Sequence, residues 1–301
     1  MNEPNESRTA LTAEAAAAEF ESLRPRLLGV AYGLVGTLPE AEDAVQEAWI
    51  RLQRSDLAEI DDLTGWLLTT TSRIALDVLR SARNRREAYI GPWLPEPVET
   101  APDPADSVSL ADSMSWAMLV VLETLTPAER ASFVLHDVFG LTFEEVGGAL
   151  GRTPASCRKL ASRARAHVEA RKPRFDVDPA AHRAVVKAFS TATRSGDLDG
   201  LVGLLDPDAV LVSDGGGLVT AARNPIHGAD KIARFLVGSA RKSPESWHQP
   251  IYINGSPGLI TVMGGLVDGV ISLGIENGRI TKVDIVRNPD KFHGLRTASA
   301  G

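Results

Sequence analysis

The chain has a single cysteine, Cys157, in 301 residues. A lone thiol cannot close an internal disulfide, and on the inner face of a helix it suggests a reducing compartment. Long apolar runs are also missing. The longest, near Trp116 to Leu122, falls far short of the roughly 20 residues that span a bilayer. The opening MNEPNESRTA lacks the basic-then-apolar order of a signal peptide, so a cytoplasmic protein is expected. Positive charge is not in surplus either: the net charge is −7, which at first argues against nucleic acid. Dividing the chain removes that objection only in part. Up to Arg174 there are 19 basic and 26 acidic residues, which leaves 13 of each from totals of 32 and 39. The acidity belongs to the first half, outside two basic segments, and separate acidic and basic faces suit two partners, one of them not DNA. A chain of this length holds two or three domains, each with its own core.

The most informative pattern runs from Thr126 to Val168. Thr126, Thr142 and Thr153 each read as helix N-caps, and Pro127 and Pro154 occupy first helical positions, where a missing N–H costs nothing. Glu129 and Glu145 follow their caps by three residues, which is the spacing of a capping box. Helices are therefore predicted over 127–139, 143–150 and 154–170, with Gly140 and Gly151 ending the first two. Two tight helix joints so close together make a helix-turn-helix. In the last helix Cys157, Leu160, Ala161, Ala164 and Val168 form one apolar stripe. Ser156, Arg158, Lys159, Ser162, Arg163 and Arg165 are left outside, where Arg and Lys can reach guanine edges or phosphates. A plain solvated helix face is the alternative. Gly147 and Gly148 in the middle helix cost about 1 kcal/mol each relative to alanine and point to close packing or to a weak helix.

A first helical block is expected from Ala13 to Arg86. Its second helix, PEAEDAVQEAWIRLQR, buries Ala41, Ala44, Val45, Ala48, Trp49 and Leu52 and exposes Glu40, Asp43, Gln46 and Glu47 as an acidic face. Acidic residues near a helix N-terminus are also favoured by the helix dipole alone. A third helix, from about Thr64, has Trp66, Leu67, Thr70, Ile74 and Val78 inward and Arg73, Asp77 and Arg80 outward, and it ends on Arg83, Arg85 and Arg86. An aromatic at one end and a basic cluster at the other are compatible with gripping a backbone or an unpaired strand.

The order of AEDAVQEAWIRL, GWLLTTTSRIALDVLRSAR, a linker and a terminal helix-turn-helix resembles bacterial sigma factors of the extracytoplasmic-function class, over residues 14–172. The resemblance implies that Glu40, Asp43, Gln46 and Glu47 face the clamp helices of the RNA polymerase beta-prime subunit. It implies likewise that the helix carrying Trp66, Arg73, Asp77, Arg80, Arg83, Arg85 and Arg86 reads the minus-10 element, although many members have asparagine where this chain has Arg73. Thr153, Ser156, Arg158, Lys159, Ser162, Arg163 and Arg165 would read the minus-35 element. The implied domains are sigma region 2 at 13–86 and sigma region 4 at 113–174, both all-α, with partners core polymerase and promoter DNA and with no membrane.

Between them, 87–112 reads as a proline-rich linker. Within it GPWLPEP is unusual, because a spacer has no reason to expose Trp93 and Leu94. It reads as a clip onto the first domain or as a docking peptide for another part of the chain. Beyond 178, helices are expected at 179–195, 197–205 and 228–241, and strands at 208–214, 247–254, 258–264, 267–275 and 279–287. The last two strands are joined through Asn277 and Gly278. Helices followed by a meander indicate an α+β domain, 178–294, that resembles the SnoaL-like cone. WLPEP, DGGG at 214–217 and NPDK at 288–291 resemble the sigma-J type within the class. That resemblance implies that Trp93, Leu94, Pro95, Asp214, Gly215, Gly216, Asn288, Pro289, Asp290 and Lys291 make regulatory contacts between the extension and the sigma core or linker. Ordinary turn chemistry accounts for the last two motifs equally simply.

A cone could also be an enzyme, for which Asp214, His227, His248 and Asp284 are the available acid–base groups, but no local motif fixes a pair. No catalytic residue, metal or cofactor is expected. A small ligand in the cone and a one-component DNA-binding regulator are the remaining alternatives.

Overall fold

The computed structural model describes residues 12–86, 89–101, 114–170 and 178–295, with side chains 82–86 outside the described set. Three helices form the first unit: α1 (Ala13–Val35), α2 (Leu38–Arg54) and α3 (Leu63–Arg86). Thr12 caps α1 by accepting from the Ala15 amide, and Gly36 ends it at φ 84°. Phe20 of α1 packs on Trp49 of α2 with ring centroids 4.7 Å apart. α3 is buried around more of its circumference than its pattern predicts. Leu68, Thr71, Ser72, Ala75, Leu76 and Leu79 join Leu67 and Ile74 inside, while Thr70 and Val78 are only half-buried. The cause is a second set of helices on its far side.

That set is α4 (Trp116–Leu122), α5 (Pro127–Phe133), α6 (Phe143–Leu150) and α7 (Pro154–Glu169). Both capping boxes form, Thr126 with Glu129 and Thr142 with Glu145. Thr153 accepts from the Ser156 amide at 3.3 Å. The helix expected over 127–139 changes pitch. Residues Val134–Val138 are π-helical, and the Phe139 amide reaches back to the Val134 carbonyl at 3.1 Å. Gly147 is where a bare Cα is required, because a Cβ there would lie 2.7 Å from the Arg152 carbonyl oxygen at the turn into α7. Gly148 has no such neighbour.

The two helical units share one hydrophobic core, in which Leu27, Leu34, Leu67 and Leu79 merge with Met114, Leu119, Phe133, Val134, Val146 and Cys157. Three arginines bridge them, each donating to a backbone carbonyl. Arg26 reaches Phe139 at 3.0 Å, Arg130 reaches Gly33 at 3.0 Å, and Arg73 reaches Gly148 at 2.7 Å. Arg130 is fully buried and is also paired with Glu123.

The C-terminal domain is α+β. It contains α8 (Pro179–Ser195), α9 (Leu198–Leu204), β2 (Leu205–Asp214), β3 (Ile226–His227), α10 (Ala229–Lys242), β4 (Trp247–Ile253), β5 (Ser256–Met263), β6 (Leu266–Glu276) and β7 (Arg279–Val286). Its sheet takes a strand from the linker, β1 (Glu99–Thr100), and has the order β1-β4-β5-β6-β7-β2-β3. β2 and β7 are parallel and the other pairs antiparallel. Alternation along the strands gives the sheet two apolar faces. Leu211, Leu259, Ile271 and Val283 meet the helices through Phe189, Leu201 and Leu236. Ile260, Val262, Val270 and Val286 face the other way and form a separate core with Leu94 of the linker and Trp116 of α4. No helix among the described residues is long and apolar enough to cross a membrane.

Candidate functional site: an interdomain junction

The linker is held on the outer face of the sheet by one carboxylate. Asp214, at the end of β2, is fully buried and accepts from four donors: the Tyr89 hydroxyl at 2.6 Å, the Leu94 amide at 2.9 Å, the Gly216 amide at 3.0 Å and the Lys291 ammonium at 2.6 Å. The ammonium of Lys291 also donates to the Leu94 carbonyl and lies 3.9 Å from the centre of the Trp93 ring. Asn288 closes the arrangement. Its side chain donates to the Tyr89 hydroxyl at 2.9 Å, and its backbone amide donates to the Asp214 carbonyl at 3.0 Å. Gly216 lies at φ 62° with its Cα against that same side chain, so a Cβ would collide with Asn288 at 2.5 Å. Burial, reinforced by the bond to Asp214, pushes the Tyr89 hydroxyl well above its ordinary pKa, so it stays a donor. Pro289 and Asp290 stand exposed on the turn, and Gly215 carries the chain past the Val219 carbonyl. Leu94 and Pro95 are buried and Trp93 is half-buried.

Two residues further on, the linker grips the first helical unit. The Glu96 carboxylate is buried and accepts from the first amide of α2, Leu38, at 2.8 Å and from Gly294 at 3.3 Å. Its backbone amide donates to Gly36 at 2.8 Å, and its carbonyl accepts from the Tyr32 hydroxyl at 2.7 Å. Burial, partly offset by the Leu38 amide and by His293, raises the Glu96 pKa. Asn254 of the C-terminal domain completes the joint. It donates to the Tyr32 hydroxyl at 3.1 Å and exchanges bonds with Val98 in both directions. The linker thus contacts both domains, and the two readings of GPWLPEP hold together: Trp93 lies against Gly36 while Leu94 enters the sheet core.

A second joint attaches the other helical unit to the same sheet. The Trp116 indole, on α4, is buried and donates to Asp284 at 3.0 Å. Asp284 is also 3.2 Å from Lys282, and burial raises its pKa despite both partners. Fully burying a side chain of the size of Leu94 contributes roughly 1.5–3 kcal/mol, and Trp116 covers more area still.

The residues expected to meet other molecules fall on two faces. On α2, Asp43 and Gln46 are exposed; Glu40 accepts from Thr37 at 2.8 Å, and Glu47 pairs with Arg51 at 2.8 Å. On α3, Trp66 is half-buried, Asp77 pairs with Arg80 at 3.1 Å, and Arg73 is taken up by Gly148. The side chains of Arg83, Arg85 and Arg86 lie outside the described residues. On α7 the cations are partly engaged: Arg163 pairs with Glu129 at 3.2 Å, Arg165 pairs with Asp137, and Arg158 lies 5.0 Å over the Phe143 ring. Lys159 and Ser162 are exposed, Ser156 is half-buried, and Thr153 caps the helix.

Residues 20–85 match the family model of sigma-70 region 2, and residues 115–168 match that of sigma-70 region 4. The ECF RNA polymerase sigma factor SigJ of Mycobacterium tuberculosis is 42% identical over 290 residues, covering 92% of this chain and 93% of the relative. The chain is an extracytoplasmic-function sigma factor. A probable ECF sigma factor of the same species, SigI, is 35% identical over 294 residues, covering 94% and 97%. The crystal structure of the M. tuberculosis SigJ matches this sigma factor with a TM-score of 0.74 at 37% identity, over 93% of this chain and 99% of that one.

In the sigma factor the four acid–base candidates do not converge. Asp214 and Asp284 lie on the sheet face covered by the linker and α4 and are occupied there. His248 lies on the helical side, 3.3 Å from Ser190, and His227 is on β3 at the far edge. Tyr89, Glu96, Trp116, Arg130 and Asn254 were not singled out by their sequence context. Glu96 alone carried a signal, its place inside the WLPEP motif at 93–97.

Proposed function

We propose that the sigma factor joins core RNA polymerase through the acidic face of α2, with Glu40, Asp43, Gln46 and Glu47 as its contacts. α3 would engage the minus-10 element and α7 the minus-35 element. The C-terminal domain and linker would hold a closed state that has to open for both elements to be met. The observation that supports this is the arginine bridging: Arg73 of α3 donates to Gly148 of α6, which packs on α7, so a single helix separates the two DNA-facing helices. By their designations the two promoter elements lie about 25 base pairs apart, roughly 85 Å at 3.4 Å per pair. Helices held one helix diameter apart, roughly 10 Å each, cannot occupy both. Each linker bond, to Asp214, to Asn254 and from Glu96 to Gly36 and Leu38, favours the closed arrangement, because the linker leads directly from α3 to α4.

The test is transcription in vitro with purified core polymerase, using the full chain, a chain ending at Arg174 and an Asp43→Lys/Glu47→Lys variant. The charge-reversed chain should lose core affinity and transcripts with its helical content unchanged, and the shortened chain should alter promoter output. Full core affinity in the charge-reversed variant refutes the polymerase face. Identical output from full and shortened chains refutes the closed-state role.

A further inference from the structure

The seam between the linker and the C-terminal domain forms an open-mouthed cavity of about 500 Å³. That volume is in the range of small-molecule sites, which run from about 300 to 1,000 Å³. The walls come from three places. β1 contributes Glu99 and Thr100, α8 contributes Arg183 and Lys187, and β4 and β5 contribute an apolar side that includes Pro250 and Pro257.

The chemistry of these walls is selective. Arg183 and Lys187 are four residues apart on one helix and project on the same side. Arg183 is fixed by its bond to the Tyr252 hydroxyl at 3.1 Å. Among the described residues Glu99 is the one carboxylate at the cavity, on its rim beside Ile253, so the two cations outnumber it and the lining carries a net charge of about +1. Most of the remaining surface is apolar, which rejects a phosphate or a dicarboxylate and suits an apolar body with a single anionic group.

We propose that this cavity binds a small monocarboxylate with an apolar ring or chain, its carboxylate between Arg183 and Lys187 and its body against Pro250 and Pro257, which lie on the same face of the sheet as Tyr252. Binding there is coupled to the linker by construction. One wall is β1, whose register places Glu99 opposite Ile253 and Thr100 opposite Tyr252, and that wall exists only while the linker is docked. A ligand that binds the docked form alone, present at about 100 times its Kd, raises the ratio of docked to undocked linker about a hundredfold. The regulatory consequence rests on the closed-state reading above. The binding does not, and it is measured without polymerase or DNA, so the two can fail separately.

The experiment titrates the full chain by calorimetry with 2-naphthoate and with its neutral counterpart 2-naphthamide. Saturable binding of one naphthoate per chain is expected, at least tenfold tighter than the amide. Arg183→Gln combined with Lys187→Gln should weaken naphthoate at least tenfold, and Glu99→Gln should tighten it. Arg183 and Lys187 are exposed, so their replacement leaves the fold intact, and the thermal midpoint without ligand checks this. Thr100→Trp, which fills the cavity from the linker side, should abolish binding. Absence of saturable binding, equal affinity for acid and amide, or unchanged affinity in the charge-neutral variant overturns the proposal.

Discussion

Replacing Lys291 by methionine tests the junction most directly. The substitution removes the ammonium 2.6 Å from Asp214 and leaves a fully buried carboxylate. Breaking one side of a buried pair costs about 3–5 kcal/mol. The Tyr89 hydroxyl and the Leu94 and Gly216 amides continue to solvate Asp214, which sets the expectation at the low end, about 3 kcal/mol. At 1.36 kcal/mol per decade this corresponds to roughly a hundredfold shift toward an undocked linker. Hydrogen exchange reads that shift at single amides. Leu94, Glu96 and Val98 each donate across the junction, to Asp214, Gly36 and Asn254, and should exchange about a hundredfold faster. Leu273 and Val283, paired inside the helix-covered core, should not change. Adding Asp214→Asn should cost less than the sum of the two single changes, because the neutral pair no longer strands a charge. Unchanged exchange at Leu94, or a uniform rise that includes Leu273 and Val283, would refute the idea that this ion pair holds the linker rather than the whole domain.

Trp116→Phe keeps an aromatic ring but removes the donor to Asp284, with an expected loss of about 2 kcal/mol in urea unfolding; stability equal to the parent would mean the bond contributes nothing. Burial, with Arg194 as a smaller influence, lowers the His248 pKa below its ordinary 6.5, so the folded state disfavours the charged imidazole. Its contribution is therefore full above 6.5 and is lost as pH falls through the lowered value. The thermal midpoint of the parent should drop more than that of His248→Gln between about pH 7.5 and pH 5.5, and parallel curves would reject this. Gly147→Ala should destabilise the helix-turn-helix, because its Cβ meets backbone 2.7 Å away, while Gly148→Ala, with nothing nearby, should gain up to about 1 kcal/mol. Equal effects of the two in thermal unfolding would show that the Arg152 carbonyl does not confine the turn.

Local chemistry was the legible part of this chain. The capping boxes at Thr126 and Thr142, the caps at Gly140 and Gly151 and the Asn277 hairpin all depend on residues within a few positions, and each stands where its spacing put it. The π-helical turn at Val134–Val138 left no mark in the periodicity, because an added residue per turn shifts the pattern too little over five residues. β1 was invisible for another reason: it is two residues long and follows prolines, and only its partners Tyr252 and Ile253 make it a strand. The junction was half legible. Trp93 and Leu94 looked misplaced for a spacer, and Lys291 belonged to the NPDK motif, but the buried role of Glu96, Asn254 and Trp116 depends on partners from 58 to 222 positions away. Burial on α3 was underestimated because a helix packed on two sides has no single apolar stripe.

Leu94 and Trp116 enter the same small core on the sheet, although residues 102–113 separate their segments in the chain. The C-terminal domain therefore grips the polypeptide on both sides of that stretch. A cut within it leaves two fragments still bound to one sheet, and the nicked protein stays assembled. By the same reasoning the peptide bonds that attach this domain to the rest serve as a tether that raises local concentration, while recognition lies in noncovalent surfaces that two separate polypeptides could share.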